Sequence, residues 1–85
     1  MDYIRAGKIT HYFDKIGVAV LVVSDNVIKI GDKIRIGELE RGIEQVVDSM
    51  QHEHQAVSEA KVGDEVGLKV TTAVKSGDVV YKINE

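Results

Sequence analysis

Three Gly-Asp pairs punctuate this chain: Gly31-Asp32, Gly63-Asp64 and Gly77-Asp78. Each lies inside an apolar, strand-like stretch: IKIGDKIRI, AKVGDEVGLKV and VKSGDVVYKI. Glycine reaches backbone angles that a side chain opposes sterically. Aspartate accepts hydrogen bonds from backbone N–H groups close by and so closes a turn. A chain that repeats this device builds short strands joined by tight loops, and the expected fold class is all-β. The pairs are separated by 32 and then 14 positions. They are therefore a recurring turn and not the period of a solenoid.

The stretches between the turns agree with this. KITHYF alternates, with Ile9, His11 and Phe13 expected on one face and Lys8, Thr10 and Tyr12 on the other. Asp14 to Gly17 reads as a hairpin turn. The run VAVLVV, Val18 to Val23, is apolar throughout and rich in β-branched valine, and is expected to be a strand covered on both faces. Lys33 to Ile36 places Ile34 and Ile36 inward and Lys33 and Arg35 outward. Residues 1–6 read as a short leader, and residues 37–42 as a solvated loop. Gly42 to Gln55 is ambiguous. Ile43, Val46, Val47 and Met50 have helical spacing, and the alternation expected of a strand is poor there.

The 85 residues make one domain over 1–85, with its core at about 7–83. A chain of this length buries roughly 60–65% of its unfolded surface. There is no cysteine, so neither disulfides nor thiolate chemistry is available, and the composition fits a reducing cytoplasm. No apolar run approaches the ~20 residues of a membrane-spanning helix, and the first residues lack the layout of a signal peptide. The formal charge of −3 disfavours strong non-specific binding to nucleic acid but leaves room for a local basic patch.

Taken in order, the segments Gly7 to Ile9, Ile30 to Ile34, Val47 to Gln51, Glu59-Ala60 to Gly67, and Gly77 to Val80 resemble the second domain of the translation elongation and initiation GTPases. The resemblance covers about residues 7–83 and implies a small closed, mostly antiparallel six-stranded β-barrel. It also implies that residues 43–51 are strand, which periodicity alone leaves open. Short stand-alone proteins described as elongation factor-like share the pattern. So does the small barrel at the C-terminus of collagenase-like peptidases. No G-x-x-x-x-G-K-[ST] is present, so GTP binding is not expected. No individual tRNA- or ribosome-contacting residue of the family maps onto this chain.

Of the possible sites, Lys29, Lys33 and Arg35 form the best basic cluster, with Tyr12 or Tyr81 as candidate stacking surfaces. Glu38, Glu40 and Glu44 are its acidic counterpart. A metal site built from His11, His52, Glu53 and His54 lacks a fixed third and fourth ligand, and none is expected. No nucleophile motif is present, and no cofactor or catalytic residue is expected. Gly31, Asp32, Gly63, Asp64, Gly77 and Asp78 are read as structural turns. Two functional expectations follow from the resemblance. The first is a non-catalytic module that contacts ribosomal RNA, tRNA or a translation-associated protein. The alternative is a protein-interaction accessory resembling the C-terminal barrel of a collagenase-like peptidase.

Overall fold

A computed structural model of the chain describes residues 2–37 and 42–84. The described residues form ten strands and no helix: β1 (Asp2–Phe13), β2 (Val18–Val23), β3 (Ile28–Lys29), β4 (Lys33–Ile36), β5 (Ile43–Val46), β6 (Met50–His52), β7 (Gln55–Val57), β8 (Glu59–Ala60), β9 (Glu65–Lys69) and β10 (Val79–Asn84). Eight of them make one sheet in the order β5-β4-β10-β1-β2-β9-β6-β7, and β3 pairs with β8 separately. All pairings are antiparallel.

The all-β expectation holds, but the closed six-stranded barrel does not. The sheet is open, with β5 and β7 at its two ends. The reason lies at Val47–Ser49, where the chain leaves its ladder with β4 and crosses to pair with β9 as β6. Beside this crossing a side chain replaces a ladder. Gln45 on β5 donates from Nε2 to the Lys69 carbonyl at 2.8 Å. Its Oε1 accepts from the Thr71 N–H at 3.1 Å and lies 3.4 Å from the Thr71 hydroxyl. Gln45 is the one buried polar residue among those described, and bonding to two backbone groups is what allows its burial.

Each Gly-Asp turn is built the same way. The glycines have φ of +93°, +99° and +97°, the value that a type II turn requires at its third position. The carboxylates of Asp32, Asp64 and Asp78 accept from the N–H groups of Lys29, Lys61 and Lys75 at 2.8, 2.9 and 2.9 Å. The same aspartates donate their own N–H groups back to the carbonyls of those lysines. Each turn then docks on the backbone of one buried residue. Gly31, Gly63 and Gly77 donate to the carbonyls of Val47, Val23 and Ile9, and those residues donate to the carbonyls of Asp32, Asp64 and Asp78. The device is thus Lys-x-Gly-Asp plus a core receptor, and in each copy the N–H groups of the lysine, the glycine and the aspartate all find acceptors.

Other expectations change in the structure. Residues 2–6 are not a leader: Asp2 pairs with Asn84 and Arg5 with Tyr81. In β1 the register with β2 shifts between Ile9 and His11, which marks a bulge at Thr10. The bulge reverses the alternation after Ile9, so Tyr12, and not His11 or Phe13, packs against the core. The ambiguous segment is strand in three pieces, β5, β6 and β7. In β2 only Ala19, Leu21 and Val23 are fully buried, while Val18, Val20 and Val22 are half-buried on the outer face. Glu38 and Glu40 lie outside the described residues. No helix among the described residues is long and apolar enough to cross a membrane.

Candidate functional site

The basic cluster expected from sequence lies on β3 and β4. Lys29 is exposed on the short β3, and Lys33 opens β4. Arg35 follows on the same face of β4, because Ile34 and Ile36 point into the core. Its surroundings differ from a site open to phosphate. Ladder pairing puts Glu44 of β5 on one side of it and Tyr81 of β10 on the other. The Arg35 guanidinium donates from Nη1 to Glu44 Oε2 at 2.6 Å. Its carbon lies 5.7 Å from the centre of the Tyr3 ring, within cation–π range. The Arg35 side chain is only 12% exposed.

The neighbouring cations are also engaged. Lys82 reaches Asp32 at 3.4 Å, and Arg5 lies 3.8 Å from Asp25. The face therefore alternates charges of both signs, and its field falls off quickly. Phosphate binding needs an excess of cations along one line, and these contacts do not supply it. Tyr12 is turned to the core and Tyr81 lies beside Arg35 in the ladder, so the two do not form one stacking platform.

The histidines are similarly dispersed. His52 sits on β6, and its Nδ1 lies 2.9 Å from the Glu65 carbonyl on β9. That contact raises its pKa above the ordinary value; desolvation opposes it, and the nearby carboxylates of Glu53, Asp64 and Glu65 add to the rise. Glu53 and His54 form the two-residue turn of the β6–β7 hairpin. His11 lies on β1 with its ring 6.4 Å from that of Phe13. Among the described residues no three of His, Asp and Glu come together so as to hold a metal ion.

One recess of about 330 Å³ is lined by Ile36, Gly37, Ile43, Ala73, Val74, Lys75 and Asp78. Its carboxylate, Asp78, is already committed to the turn through the Lys75 N–H. The hydroxyls of Ser76 and Ser24 go to the Thr10 carbonyl and to Asp25. What the arrangement offers is a rigid β surface, with polar groups spent on the backbone. The feature that sequence reasoning missed is the outer row of valines on β2. Its signal was the apolar residue at every second position, read there as burial on both faces.

No protein-family model matches the chain. It is 39% identical over 83 residues to an uncharacterized protease of Methanocaldococcus jannaschii, a match that spans 96% of this chain and 20% of that protein. It is 31% identical over 83 residues to a collagenase of Porphyromonas gingivalis, again across 96% of this chain and 20% of the other. The chain thus spans about a fifth of the length of the curated relatives it matches. Among solved structures it resembles the C-terminal domain of a protein assigned to the U32 peptidases from Geobacillus thermoleovorans. The TM-score is 0.85 at 21% identity, covering 95% of this chain and 93% of that one. A selenomethionine form of the same domain gives 0.81 at 20% identity, with 89% and 95% covered.

These findings overturn the expectation of a translation-related, RNA-binding module. The relatives are named protease and collagenase, and the structural likeness runs to a peptidase's C-terminal domain. The residues that suggested translation factors are the Gly-Asp turns and the alternating strands around them, which specify a way of folding and carry no function of their own. Over nearly its whole length, the chain is similar to the C-terminal domain of a U32 peptidase and to a fifth of proteins named as a protease and a collagenase.

Proposed function

We propose that this chain is a non-catalytic, protein-binding module of the kind a collagenase-like peptidase carries at its C-terminus. The observation that carries this reading is the match across 96% of the chain to a protease at 39% identity, joined to the 0.85 likeness to a peptidase C-terminal domain. The surface supports it. The carboxylates of Asp32, Asp64 and Asp78 and the hydroxyl of Ser76 bond to backbone groups, and apolar side chains stand outward on several strands, Phe13 and Val46 among them. A rigid β surface with outward apolar groups suits protein contact better than proton transfer, for which acid and base must meet in one pocket.

The test has two arms. The purified chain is incubated with gelatin and with short peptides, and no cleavage is expected. It is then titrated calorimetrically into the M. jannaschii protease from which the matching residues have been removed. Binding is expected to change little between low and moderate salt, because an apolar interface lacks the steep salt dependence of phosphate contacts. Cleavage by the chain alone would overturn the non-catalytic reading. Failure to bind the peptidase body would overturn the accessory role.

A further inference from the structure

The outer face of the sheet at β1, β2 and β9 has a composition that the fold does not explain. An antiparallel sheet open on one side normally alternates apolar inward with polar outward. In β2 the outward residues are Val18, Val20 and Val22, all half-buried and with no layer above them in the structure. Pairing fixes their neighbours. Val22 lies between Lys8 of β1 and Glu65 of β9, Val20 between His11 and Gly67, and Val18 between Phe13 and Lys69. Phe13 is 51% exposed, and Ile16, in the adjoining turn, is 60% exposed. Gly67 places no side chain beside Val20, so it leaves a recess at the middle of the face.

The charges on this face are arranged so that it complements itself. Lys8 and Glu65 stand on either side of Val22, about 10 Å apart by strand spacing. Neither makes an ion pair or side-chain hydrogen bond within the chain among the described residues. Consider a two-fold axis running along β2, between two such faces. It sets each β1 opposite the partner's β9. Lys8 of one copy then meets Glu65 of the other, twice. Phe13 meets the stem and ammonium of Lys69, whose Nζ is held 2.9 Å from the Ile16 carbonyl, and His11 meets the space left by Gly67. The valines stack on their own counterparts. Such self-complementarity is what an isologous contact requires.

We propose that two copies of this chain pair face to face across the β2 valines, with Lys8 of each opposite Glu65 of the other. This goes beyond the peptidase-module reading and does not depend on it. The face measures roughly 15 by 18 Å from strand spacing and rise, which is less than a permanent interface of ~1,000 Å² or more uses. The pair is therefore weak and concentration-dependent, with a dissociation constant on the order of micromolar or above, so that it separates on dilution.

Sedimentation equilibrium of the full chain from about ten to several hundred micromolar tests this. The wild type is expected to show a reversible monomer–dimer equilibrium. K8E and E65K are each expected to weaken it at least tenfold, and K8E/E65K to return it to within about threefold of the wild type. Val20→Thr removes apolar surface with little change of shape, and Phe13→Ser does so at a more exposed position; both are expected to shift the equilibrium to monomer with the circular dichroism spectrum intact. A wild type that stays monomeric across the range would overturn the proposal. So would single charge reversals without effect, a double variant that fails to recover, or folded Val20→Thr and Phe13→Ser proteins that still dimerise.

Discussion

Glu53 and His54 hold φ of 51° and 66°, the only described residues other than glycine in the left-handed region. Pairing of His52 with Gln55 leaves them as a two-residue hairpin loop, for which both central positions need positive φ and Asn-Gly is preferred. Left-handed backbone costs an ordinary residue roughly 1–2 kcal/mol. The variant E53N/H54G is therefore expected to be more stable by about 1 kcal/mol, after allowing for the entropy that glycine adds to the unfolded chain. Thermal melting checks it, with a rise of about 4–8 °C expected for a domain of this size. The preceding residue governs a pH effect. His52 has a raised pKa because the Glu65 carbonyl favours its protonated ring, helped by Glu53, Asp64 and Glu65. A pKa higher in the folded than in the unfolded state means that the folded protein holds the proton more tightly. That contribution is fully present below the ordinary value of 6.5 and is lost as pH rises through the folded value. Urea unfolding followed above pH 6.5 is expected to show this decline in the wild type and not in His52→Asn. An NMR titration of the His52 ring that gives a value at or below 6.5 would contradict it.

Among the elements, the end of β5 depends on Gln45. Its amide satisfies the Lys69 carbonyl and the Thr71 N–H where no strand is available to do so. Gln45→Leu keeps the size but orphans both groups, and is expected to cost about 1–3 kcal/mol, measurable as a lower urea midpoint with unchanged slope. This contact also shows which features could be read from the chain beforehand. Strand alternation in β4 and the turns at Gly31, Gly63 and Gly77 depend on residues adjacent in sequence, so they were legible. The Gln45 bridge joins positions 24 and 26 apart, and no local pattern marks it. The Thr10 bulge likewise has no glycine or proline to signal it, so the face assigned to Tyr12 came out reversed. The setting of the basic cluster was hidden for the same reason. Lys33 and Arg35 do share an outward face, but Glu44, nine positions away, lies across the ladder and neutralises Arg35. The run Val18 to Val23 was legible as a strand; whether its second face was covered depended on layers that one strand cannot encode.

At the scale of the molecule, β1 and β10 are neighbours inside the sheet, although they come from opposite ends of the described chain. Long-range pairing of this kind must close a large loop before it contributes stability, so folding in the millisecond-to-second range is expected for such an all-β topology. Asp2 and Asn84 are direct ladder partners, which sets their Cα atoms about 5 Å apart. A circular permutant that joins these positions through a short glycine-serine linker, with new ends between Glu53 and His54, is expected to fold to the same sheet. Far-UV circular dichroism and a melting temperature within about 10 °C of the parent would support this; an unfolded permutant would show that the β6–β7 turn must be covalently intact. The same adjacency has an architectural meaning. A unit whose two ends leave side by side can hang from a longer polypeptide as a pendant, entering and leaving at one point, and its host need not stretch or rearrange to carry it.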